Sequence, residues 1–177
     1  MIEYKKDFMG TTKNLSDQAA VDKVKELAEE AKLCMLCTSL GQTPFNTRPM
    51  ATQTIEEDGT FWFFSPADSS KNAEIASDNR VQLIYSNRPG SEYLSVYGRA
   101  EIVRDTAKAK ELWNVFLTTW FPGGAEDPNV TLIKVTPEEG HYWDTKNNKM
   151  VQSIKIAVGA IRGKMTDDGV DGDFRIA

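Results

Sequence analysis

The chain has 177 residues, 40% hydrophobic and 27% charged, with a net charge of −5, a balance that supports one compact globular core. Its Lys and Arg residues are spread along the chain, so no basic face is available for nucleic acid or an anionic membrane. No apolar run approaches the roughly 20 residues that cross a bilayer. The N-terminal Met1-Ile-Glu-Tyr-Lys-Lys-Asp lacks a secretory h-region, and two cysteines are too few for a disulfide scaffold. A soluble cytoplasmic protein is expected, with neither a nucleic-acid nor a membrane partner.

Residues 1–14 are polar and are expected to be loosely ordered. From Ser16, a candidate N-cap, Ala20, Val21, Val24, Leu27, Ala28 and Ala31 recur at helical spacing, which predicts an amphipathic helix. Leu33–Ser39 reads as a strand, and Phe45–Ile55 as a longer one ended by a Glu-Glu-Asp-Gly turn. Thr60–Ser65 is β-branched and aromatic, the pattern of a strand buried on both faces. A short helix is predicted over Ser70–Ala76, then strands over Val81–Ser86 and Glu92–Arg104. Asp105 is placed to cap a second amphipathic helix carrying Ala109, Leu112, Trp113 and Phe116 on one stripe. After the breaker-rich loop Trp120-Phe-Pro-Gly-Gly, Thr131–Val135 and Gly140–Asp144 read as a hairpin around Thr136-Pro-Glu-Glu. Residues 150–164 are compatible with a helix, and the Asp- and Gly-rich tail 165–177 is expected to fray. Turn signals this closely spaced favour antiparallel pairing, so about six strands with helices at their connections predict a mainly β fold, a small barrel.

Several familiar chemistries fail on spacing. Cys34 and Cys37 have the separation of a redox pair, but on a strand residues i and i+3 face opposite ways, so a structural role is expected. His141 is the single histidine and pairs with no recognisable nucleophile, and neither a hydrolase triad nor a zinc site can be assembled. Asp167-Asp-Gly-Val-Asp-Gly-Asp fails the register of a calcium loop. No metal site is expected.

The segment Phe64-Ser-Pro-Ala-Asp-Ser-Ser-Lys71 is more informative. It leaves a buried strand and enters a helix with Ser69, Ser70 and Lys71 beside the first turn, where free backbone N–H groups and the helix dipole favour an anion. Ordinary capping by Asp68 or Ser69 explains the same residues equally well. On the preceding strand, Arg48, Met50 and Thr52 share a face, and an arginine there suits bidentate phosphate contact. Pro49 removes a ladder hydrogen bond, so its strand is expected at a sheet edge or broken there. A surface arginine beside a bend is the competing reading.

Five ordered segments, TRPMATQ, DGTFWFFSPADSSKNAEI, YLSVYGRAEIV, LWNVFLTTWFPGG and LIKVTPEEGHYWD, give the chain a resemblance to the pyridoxamine 5′-phosphate oxidase-like split barrels, most closely to their general stress protein branch. The resemblance runs from about Ala28 to Asp144. It implies a six-stranded antiparallel Greek-key split barrel over residues 16–150, with a flexible segment over 1–15 and a C-terminal extension over 151–177. It also implies a homodimer holding FMN at its interface.

By the same resemblance, Arg48, Pro49, Met50, Ala51, Thr52 and Gln53 line the flavin, Phe64 and Ser65 end the next strand beside it, and Ser70 and Lys71 hold the phosphate. Trp143 reaches the flavin from the partner subunit, and Trp120 and Phe121 form another wall. The family's frequent arginine at the first phosphate position is Ser70 here. The oxidases' Arg-Leu-His-Asp-Arg motif is replaced by Asp144-Thr-Lys-Asn-Asn-Lys-Met-Val-Gln-Ser153, so vitamin B6 oxidase activity is not expected. The resemblance therefore implies a flavin-dependent oxidoreductase acting with an unknown small-molecule electron donor or acceptor. A flavin sensor or reservoir without turnover and a deazaflavin-dependent reductase stand as alternatives. No residue is assigned a catalytic role.

Overall fold

Helical periodicity gives way to strand alternation at the first turn of chain, and the barrel is built from that change. In a computed structural model, which describes residues 11–145 and 169–176, helix α1 spans Asp17–Ala31 and buries Ala20, Val21, Val24, Leu27 and Ala28, the predicted stripe. Ser16 occupies the N-cap with extended backbone, although its side chain makes no capping bond.

Strands β1 (Thr11–Thr12), β2 (Leu15–Ser16), β3 (Leu33–Thr38) and β4 (Asn46–Ala51) come first, followed by β5 (Thr54–Ile55) and β6 (Phe61–Pro66). Helix α2 (Ser70–Ser77) leads into β7 (Arg80–Asn87) and β8 (Glu92–Val103). Helix α3 (Thr106–Leu112), two 3-10 turns (Val115–Thr119 and Gly124–Glu126), β9 (Val130–Thr145) and β10 (Gly169–Arg175) complete the described chain. The Asp105 carboxylate caps α3 by accepting from the Lys108 N–H, as its position predicts.

The antiparallel neighbours run β4-β3-β7-β8-β9, and β6 joins on the far side of β9. β4 and β5 are two halves of one bent strand. The Thr52 N–H donates to the Lys32 carbonyl at 3.0 Å, on the β3 side, while the next N–H, that of Gln53, donates to the Trp62 carbonyl at 2.9 Å, on the β6 side. The bend carries the chain from one end of the sheet to the other, and the sheet curls into a split barrel that no continuous ladder seals. Pro49 lies on β4, an edge strand, where its missing N–H costs no central ladder bond.

The interior is filled by Leu36, Phe61, Phe63, Leu83, Tyr85, Leu94, Val96, Ile133, Val135 and Tyr142, with the apolar stripe of α1 packed onto them. The other face of β6 packs Trp62 and Phe64 against Ala109, Leu117 and Phe121, so β6 is buried on both faces as its composition predicts.

Three expectations are corrected. The final hairpin does not form: β9 is one continuous strand, because both of its halves pair with the single long strand β8. The break suggested by Thr136-Pro-Glu-Glu is absorbed in a bulge, where Tyr97 faces Glu139 while Gly98 faces Pro137. A Cβ on Gly98 would lie 2.3 Å from the Thr136 carbonyl oxygen, so only glycine fits that approach.

The tail does not fray over Gly169–Arg175. That segment pairs antiparallel with β9 along its length, and Phe174 is buried in the core. Residues 11–16, the described part of the N-terminal stretch, are likewise tied down, since β1 and β2 pair parallel with β10. A Cβ on Gly172 would meet the Lys13 carbonyl oxygen at 2.0 Å, which explains a glycine there better than a loose tail does. The helix expected over residues 150–164 lies outside the described residues.

Candidate functional site

The edge position of β4 and the turn from β6 into α2 bring two separated segments of sequence together. A groove of about 400 Å³ opens between them, within the size range of small-molecule sites. Arg48, Pro49, Met50, Ala51 and Gln53 form the β4 side, Phe64 and Lys71 the other, and Leu117, Trp120 and Phe121 close the end. Eight of the twelve expected cofactor residues therefore line one cavity.

The remaining four do not. Thr52 is turned into the barrel wall, with its hydroxyl 2.7 Å from the Tyr85 hydroxyl. Ser65 is fully buried and donates to the Asn72 Oδ1 at 2.7 Å. Ser70 opens α2 but is exposed and lies off the groove. Trp143 is on β9, opposite Tyr93, and its ring lies tilted against His141 at 4.4 Å between centroids. Pro66 and Leu117 line the groove without having been anticipated; a proline ending a strand and a leucine in an aromatic segment carry no chemical signal.

A buried polar network fixes the start of α2. Asn72 accepts from Ser65 and donates to the Pro66 carbonyl at 3.1 Å and to Thr131 Oγ1 at 2.9 Å. Thr131 in turn donates to the Ser65 carbonyl at 2.6 Å. These bonds hold the first turn of α2 against β6 and β9, and so they position Lys71. Ser69 makes no side-chain cap bond, but its hydroxyl lies 3.1 Å from that of Ser65 and so joins the same network.

The charges of the groove are unequal in their partners. Arg48 donates to Thr38 Oγ1 at 2.8 Å and to Glu74 Oε2 at 2.7 Å, an ion pair that is largely shielded from solvent. Thr38, fully buried, donates onward to the same Glu74 oxygen. Burial works against the Glu74 carboxylate, but the bonds from Thr38 and Arg48 and the Arg48 charge outweigh it and hold its pKa below the ordinary value. Lys71 is half-buried, and among the described residues it has neither a hydrogen bond nor an ion pair. Burial, and then the neighbouring Arg48, push its pKa down, while Glu74 and Asp68 only partly oppose the shift.

A wider depression of about 800 Å³ lies on β8, β9 and β10, but its charges are already matched. His141 Nδ1 is 2.7 Å from Asp173, and Arg175 donates to Glu139 at 2.9 Å. Cys34 and Cys37 are both buried and unbridged. Only Cys34 belongs to the barrel-core cluster, as divergence along a strand requires. Burial pushes the Cys34 thiol up to about 12. Among the described residues no group of three or more His, Cys, Asp or Glu side chains is placed to hold a metal ion, and no helix is long and apolar enough to cross a membrane.

A split barrel with a groove between an edge strand and a helix start defines a class, and the comparison with known families agrees. The chain belongs to the pyridoxamine 5′-phosphate oxidase like family, whose model matches residues 19–167. Among individual relatives, it is similar to protein bli-3 of Neurospora crassa, 28% identical over an alignment of 165 residues covering 85% of this chain and 79% of bli-3. A solved structure from Jannaschia sp. CCS1, described as a general stress protein 26, superposes with a TM-score of 0.75 at 23% identity, over 89% of this chain and 99% of that one. At that identity the likeness speaks for the fold. A general stress FMN/FAD binding protein of Xanthomonas citri matches with a TM-score of 0.61 and 25% identity, over 73% of this chain and 90% of that one.

Proposed function

We propose that the chain binds FMN in the groove between β4 and α2, as a cytoplasmic homodimer of the general stress protein type, and acts as a flavin-dependent oxidoreductase. The observation that carries this reading is Lys71, a half-buried cation beside the start of a helix, with no hydrogen bond or ion pair among the described residues. A phosphate there would receive the Lys71 ammonium and the free N–H groups of the first turn. Met50, Phe64, Leu117, Trp120 and Phe121 give the rest of the groove the apolar, aromatic lining that a planar ring system requires. The residues present fit the group, and the Xanthomonas citri relative described as FMN/FAD binding supports the same ligand class.

Bound FMN supplies hydride or electron transfer at its ring. The chain's own contribution would be to anchor the phosphate through Lys71, to exclude water with Phe64, Leu117 and Phe121, and to set the ring against the edge of β4. A homodimer is supported by the outer face of the sheet. Leu33, Met35, Ile84 and Tyr93 are exposed there, with Met35 directly opposite both Pro49 and Ile84 in the ladders. Trp143 is paired with Tyr93 on that face, which supports the reading that it contributes to a partner's flavin.

One observation favours a second reading, a flavin sensor or reservoir without turnover. Among the described residues the groove is lined by no carboxylate and no histidine, and Lys71 is committed to the anion. Two measurements decide between these readings. The pigment released by denaturing the purified protein should be FMN, and reconstitution with a deazaflavin should be weaker. Flavin reduction by NADH or NADPH, followed by reoxidation with small-molecule acceptors, supports the enzyme. Failure of every donor leaves the sensor, and a colourless protein that takes up no flavin contradicts both.

A further inference from the structure

We infer that Glu74 is a specificity-determining residue of the groove: by neutralising Arg48 it leaves Lys71 as the groove's one cation without an ion pair among the described residues and limits the preference for doubly charged phosphate. This rests on the proposed FMN site and adds to it a residue whose negative charge repels that of the ligand.

The geometry is direct. Arg48 and Lys71 both line the groove, and two free cations there would suit a phosphate monoester carrying close to two negative charges at neutral pH. Glu74 removes one of them from the balance. It lies one helical turn along α2 from Lys71, and its Oε2 receives both the Arg48 guanidinium and the Thr38 hydroxyl. With Arg48 held on Thr38 and Glu74, its fork is directed away from bidentate contact with a ligand phosphate. Asp68 lies before the helix and is exposed, so solvent screens it more than the shielded Glu74. Arg48 plus Lys71 minus Glu74 leaves a net charge of about +1 facing the ligand. Nothing in the sequence distinguishes this glutamate from its neighbours on a solvated helix; only the fold places it against Arg48.

The test is Glu74→Gln, which keeps the shape and an acceptor oxygen while removing the charge, with Glu74→Ala as a second variant that removes the acceptor too. Flavin affinity is measured by fluorescence quenching at pH 7.5 and low salt, and the Lys71 side chain is titrated by NMR in the flavin-free protein. Both variants are expected to lower the Lys71 pKa further, since a carboxylate that raises it is gone. Glu74→Gln should also tighten FMN on the order of five- to tenfold, with riboflavin within about twofold, and the gain should shrink as salt rises. An unchanged Lys71 titration overturns the inference, as does FMN binding that is unimproved or improved no more than riboflavin binding. A lowered Lys71 pKa in a protein that takes up neither flavin preserves the charge balance and overturns the FMN reading instead.

Discussion

Asn72, on the first turn of α2, donates to the hydroxyl of Thr131 on β9 at 2.9 Å, and both side chains are buried. That contact spans 59 residues of sequence and ties the start of the helix to the longest strand of the barrel. Asn72→Ala would leave the hydroxyls of Ser65 and Thr131 without that partner. An unmet buried polar group costs about 1–3 kcal/mol, so a loss of roughly 2–3 kcal/mol is expected in urea unfolding. Flavin affinity should fall along with it, because Lys71 directly precedes Asn72 in the same turn. Asn72→Ala with unchanged stability would remove the network from the account of the site.

Cys34 gives a prediction on the alkaline side. Burial raises its thiol from the ordinary 9.0 to about 12, while in the unfolded chain it ionises near the ordinary value. A raised folded-state pKa means that the contribution to stability is complete below about pH 9 and is lost as pH rises toward about 12. Cys34→Ala should therefore flatten the decline in stability over that window in denaturant titrations. The native protein should also resist thiol reagents at pH 8, and rapid labelling of Cys34 there would contradict its burial.

The outer face of the sheet makes the homodimer testable. Met35 and Ile84 are cross-strand partners and are 40% and 44% exposed, more than a strand residue of that size needs to be on a monomer. Replacing Met35 by Glu should place a charge in the centre of an apolar contact and convert the dimer to monomer in light scattering, with the far-UV spectrum unchanged. A wild-type monomer at micromolar concentration would contradict the reading.

Much of the barrel is legible in the sequence because its signals are local. The stripe of α1, the aromatic strand β6 and the Asp105 cap each follow from a short run of residues. Thr136-Pro-Glu-Glu misleads because a turn-rich run can be absorbed as a bulge when a longer partner strand spans it, as Glu92–Val103 does. The tail misleads in the opposite way. Val170, Phe174 and Ile176 alternate with Asp171, Asp173 and Arg175, a strand period that composition rich in Asp and Gly obscures.

In the groove, the β4 residues and Lys71 are readable because they cluster in two motifs. Asn72 and Glu74 are not, since their roles depend on partners tens of residues away: Thr131 for one, Thr38 and Arg48 for the other.

The central claim is that Lys71 receives the phosphate of a flavin. It is tested most directly by comparing FMN and riboflavin affinity in the wild type and in Lys71→Ala. A charge-assisted contact of about 1.5–3 kcal/mol predicts a loss of roughly ten- to a hundredfold for FMN and almost none for riboflavin. Equal losses for the two ligands, or none for either, would contradict it.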